Sequence, residues 1–264
     1  MNPSPGAIRP RDGRVALVTG AGRGIGRAIA VRLAADGARV MAIARTAEEL
    51  SGLAAETGAE WFADTVATPA GCERIVAETK RRFGRIDILV NNAGIGSAGE
   101  QLTWLQNPVR WREAMAVNLD APFELTRLSL PGMIERGWGR IVMIGSIASL
   151  AAGIAPAMSA YATSKHGLLG LTRAVALEAS AYGVTCNAVL PGSVRTKASE
   201  LKVAEEAAEA GITPDDAWEA RAARTLAGRL VRAEEVAATV AFLASEDASA
   251  VNGETIGVAL QAFG

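Results

Sequence analysis

A chain of 264 residues, half of them hydrophobic, can bury one large core and is of ordinary length for a single α/β unit. The formal net charge of −1 excludes the basic excess of a nucleic-acid binder; the longest basic run, Lys80-Arg81-Arg82, lies in a helix-like stretch and reads as a solvated face. Two cysteines, Cys72 and Cys186, point to neither a disulfide framework nor a metal site; a single histidine, His166, excludes any site needing two imidazoles, and no nucleophile elbow precedes it as a triad would need.

Residues 1–13 contain Pro3, Pro5 and Pro10 and no apolar segment, so they read as a flexible tail rather than a signal peptide, ahead of one domain at 14–264. No apolar stretch approaches the ~20 residues of a membrane span, and a soluble cytoplasmic protein is expected. Val15-Ala16-Leu17-Val18 predicts a first strand and 25–35 a helix; 39–44 and 60–63 follow as strands, 47–57 and 70–83 as helices. Ile86-Asp87-Ile88-Leu89-Val90 predicts a fourth strand, and 109–134 a long helical region. Strand 140–144, helix 160–181 and strand 184–190 continue the alternation, which is that of a parallel sheet with helices on both faces. Residues 197–227 break it: they are Ala- and Glu-rich and contain the helix start Thr213-Pro214-Asp215-Asp216. A helix at 233–243 and a seventh strand near 254–258 close the chain.

Thr19-Gly20-Ala21-Gly22-Arg23-Gly24-Ile25-Gly26 joins the first strand to the first helix. Glycines there permit a tight turn and a close backbone approach to a pyrophosphate, while the helix N-terminus offers unpaired amides and partial positive charge. With Gly-x-x-x-Gly-x-Gly spacing, the sequence resembles the short-chain dehydrogenases/reductases. The resemblance extends through Asn91-Asn92-Ala93-Gly94 after the fourth strand, Asn118, Ser146, Tyr161-Ala162-Thr163-Ser164-Lys165, and Pro191-Gly192-Ser193-Val194-Arg195-Thr196. It implies a Rossmann-type, doubly wound, seven-stranded parallel sheet with helices on both faces, and a hydride-transferring enzyme. The implied catalytic residues are Asn118, Ser146, Tyr161 and Lys165. The implied cofactor contacts are Gly20, Arg23, Gly24, Ile25, Gly26, Asn92, Gly94, Tyr161, Lys165, Pro191, Gly192, Val194 and Thr196, with Asp64-Thr65 at the adenine.

Where an acidic side chain would accept from an NAD ribose stands Ala44, followed by Arg45; with Arg23 this favours NADP(H) over NAD(H). The alternative is that Arg45 flanks a helix and Arg23 is solvated. Tyr161 and Lys165 share a helix face, and a neighbouring ammonium is expected to lower the phenol's pKa toward neutrality. Ser146 would hold the substrate oxygen, Asn118 a water linking Lys165 to solvent.

The pocket is expected near Gly96, Ser97, Ser193 and residues 147–158, under a lid at 197–227 with Leu201, Trp218 and Leu226 as inward candidates; the alternative for Trp218 is that it packs the lid on the body. Mostly small or apolar, that lining favours an apolar or mixed ketone, interconverted with its secondary alcohol. Alternatives are a 3-oxoacyl-thioester reductase, with Arg195 and Lys197 as basic candidates for a carrier protein; a 3-hydroxyacid dehydrogenase, against which stand Ala148 and Met158; and a non-catalytic NADP(H) sensor. A homotetramer (or homodimer) is expected, pairing helices 109–134 and 160–181, with an apolar end, Val258-Ala259-Leu260-Gln261-Ala262, near the interface.

Overall fold

A parallel strand covered on both faces has to be apolar along its whole length, and β1 (Val15–Thr19) is buried at every position. The structure, a computed structural model, describes residues 13–150 and 155–260. The expected tail up to Asp12, pocket-wall residues 151–154, and Gln261 and Ala262 lie outside the described residues.

Seven strands form one all-parallel sheet in the order β3-β2-β1-β4-β5-β6-β7: β1, β2 (Arg39–Ala44), β3 (Glu60–Ala63), β4 (Ile88–Asn91), β5 (Gly139–Ile144), β6 (Val184–Pro191) and β7 (Thr255–Val258). Helices α1 (Gly24–Ala35) and α2 (Ala47–Thr57) lie on one face with α9 (Ala233–Leu243), where Ile29, Leu33, Leu50, Val236 and Val240 share a core. The opposite face carries α3 (Pro69–Phe83), α5 (Ala121–Glu135) and α6 (Ser159–Ala179), through Ile75, Leu125 and Leu168. Each such fully buried aliphatic side chain contributes about 1.5–3 kcal/mol. The expected Rossmann-type sheet is thus observed. Strand order reverses between β1 and β4, and in open α/β sheets ligands bind at the carboxyl ends of the strands flanking such a reversal.

The long helix expected at 109–134 is interrupted. It runs as α4 (Pro108–Met115), a π-helical turn (Ala116–Asp120) and α5. Pro122 has no N–H to give the Asn118 carbonyl, so the ladder shifts by one residue and the Ala121 amide reaches the Ala116 carbonyl. That turn brings the Asn118 side chain inside, fully buried. The lid segment forms α7 (Lys197–Ala210) and α8 (Pro214–Ala223), with Thr213 capping α8 as the sequence suggests.

Among the described residues no helix is long and apolar enough to cross a membrane.

Candidate active site

A cleft of about 1060 Å3 opens along the carboxyl ends of the strands. Its floor is the glycine turn. Gly20 has φ +65°, a conformation that favours glycine, and a Cβ on Gly26 would lie 2.1 Å from the Gly20 carbonyl oxygen. The turn and the first helical turn are therefore in contact, and only glycine leaves that space. Asn92 Nδ2 donates to the carbonyls of Thr19 (2.8 Å) and Gly20 (3.2 Å), while Thr19 Oγ1 accepts from the Asn92 and Ala93 amides. The segment after β4 thus clamps the turn after β1 across the reversal point. Helix α1 has no side-chain cap and no acidic residue in its first turn, which leaves its amides for an anion. A dinucleotide pyrophosphate fits this cradle. Gly20, Arg23, Gly24, Ile25 and Gly26 all line it.

At the adenosine end stand Ala44, Arg45, Asp64 and Thr65, as expected, together with Glu49, which the sequence reading missed. Arg45 is exposed on the rim, whereas Arg23 pairs with Glu49 at 3.3 Å. Glu49 lies four residues beyond Arg45 in the first turn of α2, a spacing that could have been read as aimed at the same corner. Asp64 accepts two hydrogen bonds from Arg74 at 2.8 Å, and those bonds hold its carboxyl below the usual range.

The four expected catalytic residues converge beyond β4 and β5. Lys165 is buried and its Nζ donates to the Ile144 carbonyl at the end of β5 (2.7 Å). Burial pushes its pKa down to about 8. The Ser146 hydroxyl accepts from the Ala148 amide (3.1 Å) and lies close enough to the Tyr161 phenol to favour its ionised form. The Tyr161 phenol is not lowered, contrary to expectation. Burial raises it, the Ser146 hydroxyl offsets this only in part, and the Glu100 charge adds to the rise. Lys165 Nζ stands 6.0 Å from the ring centroid and donates to the Ile144 carbonyl rather than to the phenol oxygen.

Asn118 is held through its side-chain amide. Its Oδ1 accepts from the Ile95 amide (2.9 Å), and its Nδ2 donates to the Ile95 carbonyl (3.0 Å) and Ser164 Oγ (3.1 Å). Both amide hydrogens are used, so a water near Lys165 would find the remaining Oδ1 lone pair or the Asn118 main-chain carbonyl that Pro122 leaves without its usual donor. A Cβ on Gly94 would stand 3.3 Å from that oxygen and 3.6 Å from Lys165 Nζ, which places the three groups together.

Pro191 ends β6, and Gly192 donates to the Val258 carbonyl (3.0 Å). Val194 pairs with Val231, and Thr196 caps α7 by accepting from the Ser199 amide (3.2 Å). All four line the cleft, as do Asn92 and Gly94.

The lid expectation fails at its three named residues. Trp218 is buried with Val203, Ala207 and Ala217 in a core of the lid's own, between the guanidiniums of Arg195 and Arg221. Leu201 and Leu226 are exposed, and none of the three lines the cleft. Beside Ala210, Ile212, Ala217 and Ala220, the lid presents charged groups to the cleft: Lys197, Lys202, Glu206, Glu209, Arg221 and Arg224, with Arg221 paired to Glu206. The wall is accordingly more polar than the sequence suggested. Gly96, Ser97, Ala148, Met158 and Ser193 do line it, whereas His166 is exposed and its Nδ1 bonds the Ala162 carbonyl oxygen (2.9 Å).

Residues 14–207 match the family model described as short chain dehydrogenase. The 3-oxoacyl-acyl-carrier-protein reductase FabG of Salmonella typhimurium is 36% identical over 249 residues, covering 94% of this chain and 96% of that protein. Among solved structures, levodione reductase superposes with a TM-score of 0.88 at 36% identity, covering 94% of this chain and 96% of the other. A variant of actinorhodin polyketide ketoreductase with NADPH gives 0.87 at 37% identity, covering 93% and 95%.

Proposed function

The chain belongs to the short-chain dehydrogenase/reductase family and is an oxidoreductase acting on CH–OH groups; from that premise we propose that it interconverts a ketone and a secondary alcohol with NADP(H), using Tyr161 as general acid and base. The observation that carries this reading is the convergence of Ser146, Tyr161 and buried Lys165 in the same cleft as the glycine cradle. A bound nicotinamide would supply or take the hydride. Tyr161 gives its proton to the carbonyl oxygen in reduction and takes it back in oxidation, while Ser146 orients that oxygen. Lys165, near Gly94, is placed to hold a ribose hydroxyl, and Val194 with Thr196 a carboxamide. The whole of residues 14–264 acts as one unit in this reading, with 197–227 as its lid. The test is a panel of ketones, 3-oxoacyl thioesters and secondary alcohols followed by nicotinamide absorbance. No turnover with any of them would overturn the reading.

NADP(H) is preferred in this reading because Ala44 offers no carboxylate and Arg45 is exposed on the rim; a related reductase was solved with NADPH. Glu49 works against it by pairing with Arg23. Glu49→Gln is expected to lower the KM for NADPH by up to about 5-fold, the scale of one exposed ion pair, and to change that for NADH less. A wild-type protein that favours NADH would overturn the preference.

A homotetramer completes the proposal. Phe123 on α5 and Leu177 on α6 expose apolar surface on the two helices expected to pair, and Trp104, 78% exposed, adds to it. Light scattering at micromolar concentration is expected to give a mass above the monomer's; monomer alone would refute it.

A further inference from the structure

Helix α6 carries Tyr161 and Lys165 yet begins without a local cap. Met158 precedes it, makes no capping bond, and its first turn holds no acidic residue. The missing acceptor comes from sixty positions away: Glu100 accepts the Ala160 amide through Oε2 (3.0 Å) and the Tyr161 amide through Oε1 (2.9 Å). A carboxylate spanning two orphan amides at a helix N-terminus is a strong, charge-assisted arrangement. Here one of those amides belongs to the residue that moves the proton.

The preceding residue makes a second connection. The Gly99 amide donates to the Glu205 carboxylate (3.0 and 3.3 Å), and Glu205 sits on α7, the first helix of the lid. Adjacent residues of one loop therefore grip the lid and the catalytic helix. Arg110 of α4 braces the same loop by donating to the Ala98 carbonyl (2.9 Å). Arg110 and Lys202 are the cations whose fields reach Glu100, while Ser146, Lys165 and Glu100 are the groups facing Tyr161.

We infer that Glu100 is a positioning residue that joins the lid to the catalytic helix and sets the start of α6 under Tyr161. The inference rests on the proton-transfer role proposed for Tyr161. Its charge has a direction: a carboxylate near the phenol disfavours phenolate, keeping Tyr161 in the acid form that ketone reduction needs. Lid movement then reaches the helix through a single peptide unit.

The chain has two tyrosines, Tyr161 and Tyr182, so the Tyr161 phenol can be followed alone by carbon NMR with pH in a Tyr182→Phe background. Glu100→Gln keeps an acceptor for one amide and removes the charge, so the phenol is expected to titrate at lower pH than in the parent. Glu100→Ala is expected to speed hydrogen exchange at the Ala160 and Tyr161 amides about 5-fold, the loss of one cap, with Gln giving partial rescue. Glu205→Ala is expected to speed exchange at Gly99. Unchanged titration with unchanged exchange at Ala160 and Tyr161 would overturn the inference. A phenol that moves while Tyr161→Phe keeps full turnover would overturn the catalytic reading and leave the link between Glu100 and the helix standing.

Discussion

Tyr161→Phe is expected to lower kcat for ketone reduction by about 10²–10⁴-fold, the contribution of a positioned general acid, with the fold unchanged. Phenylalanine keeps the ring and its packing and removes only the hydroxyl. The Ser146 hydroxyl still accepts the Ala148 amide, so stability should fall by no more than about 1 kcal/mol. Ser146 would still orient the substrate oxygen, so the loss should fall on kcat rather than on the ketone's KM. The pH dependence follows from the raised phenol. In the protein without cofactor Tyr161 stays protonated through neutral pH and beyond its ordinary value of 10.0, so ketone reduction should not lose its acid near neutrality. Alcohol oxidation needs the phenolate and should keep rising with pH over the same range. Full reduction activity in the Phe variant would place the proton donor elsewhere.

Features that depend on neighbours in sequence were legible; those that depend on where the chain returns were not. The glycine turn and the Tyr161–Lys165 pair could be read because a strand, a turn and a helix face are local. The fourth strand was placed two residues early: the Asp87 carboxylate takes the Val15 amide (2.9 Å), whereas Asn91 pairs with Met143 in the ladder. The expected helix at 109–134 hid its break because Pro122 reads as tolerable near a helix start, and its effect falls on the carbonyl four residues back. Trp218 could be read either as facing the cleft or as packing the lid, because α8 alone does not say where its apolar side lies; it meets α7. The Lys165–Ile144 bond and the Glu100 cap join distant segments, and no spacing signals them. The phenol's pKa was read in the wrong direction for the same reason, since burial and Glu100 outweigh what adjacency to a lysine implies.

Lys165→Met is expected to lower kcat by at least about 10²-fold while removing a pH-dependent cost from the folded state. Burial depresses the lysine from 10.5 to about 8, which corresponds to ~3 kcal/mol of disfavoured charge. Below pH 8 both folded and unfolded chains hold the proton, and the folded chain bears that cost in full. Between 8 and 10.5 the unfolded chain binds more protons, so this group makes stability rise with pH, and above 10.5 its cost is gone. Methionine has no such titration and nearly the same length. Urea unfolding near pH 7 and near pH 10.5 should therefore show the wild-type chain gaining up to ~3 kcal/mol relative to the Met variant. The lost bond to the Ile144 carbonyl lowers the variant's stability at both pH values, and more where the lysine is charged, so it trims the expected pH difference without reversing it. Parallel stabilities at the two pH values would mean that Lys165 titrates normally. A Met variant with full turnover would mean that its ammonium, held at a cost inside the fold, has no part in the chemistry.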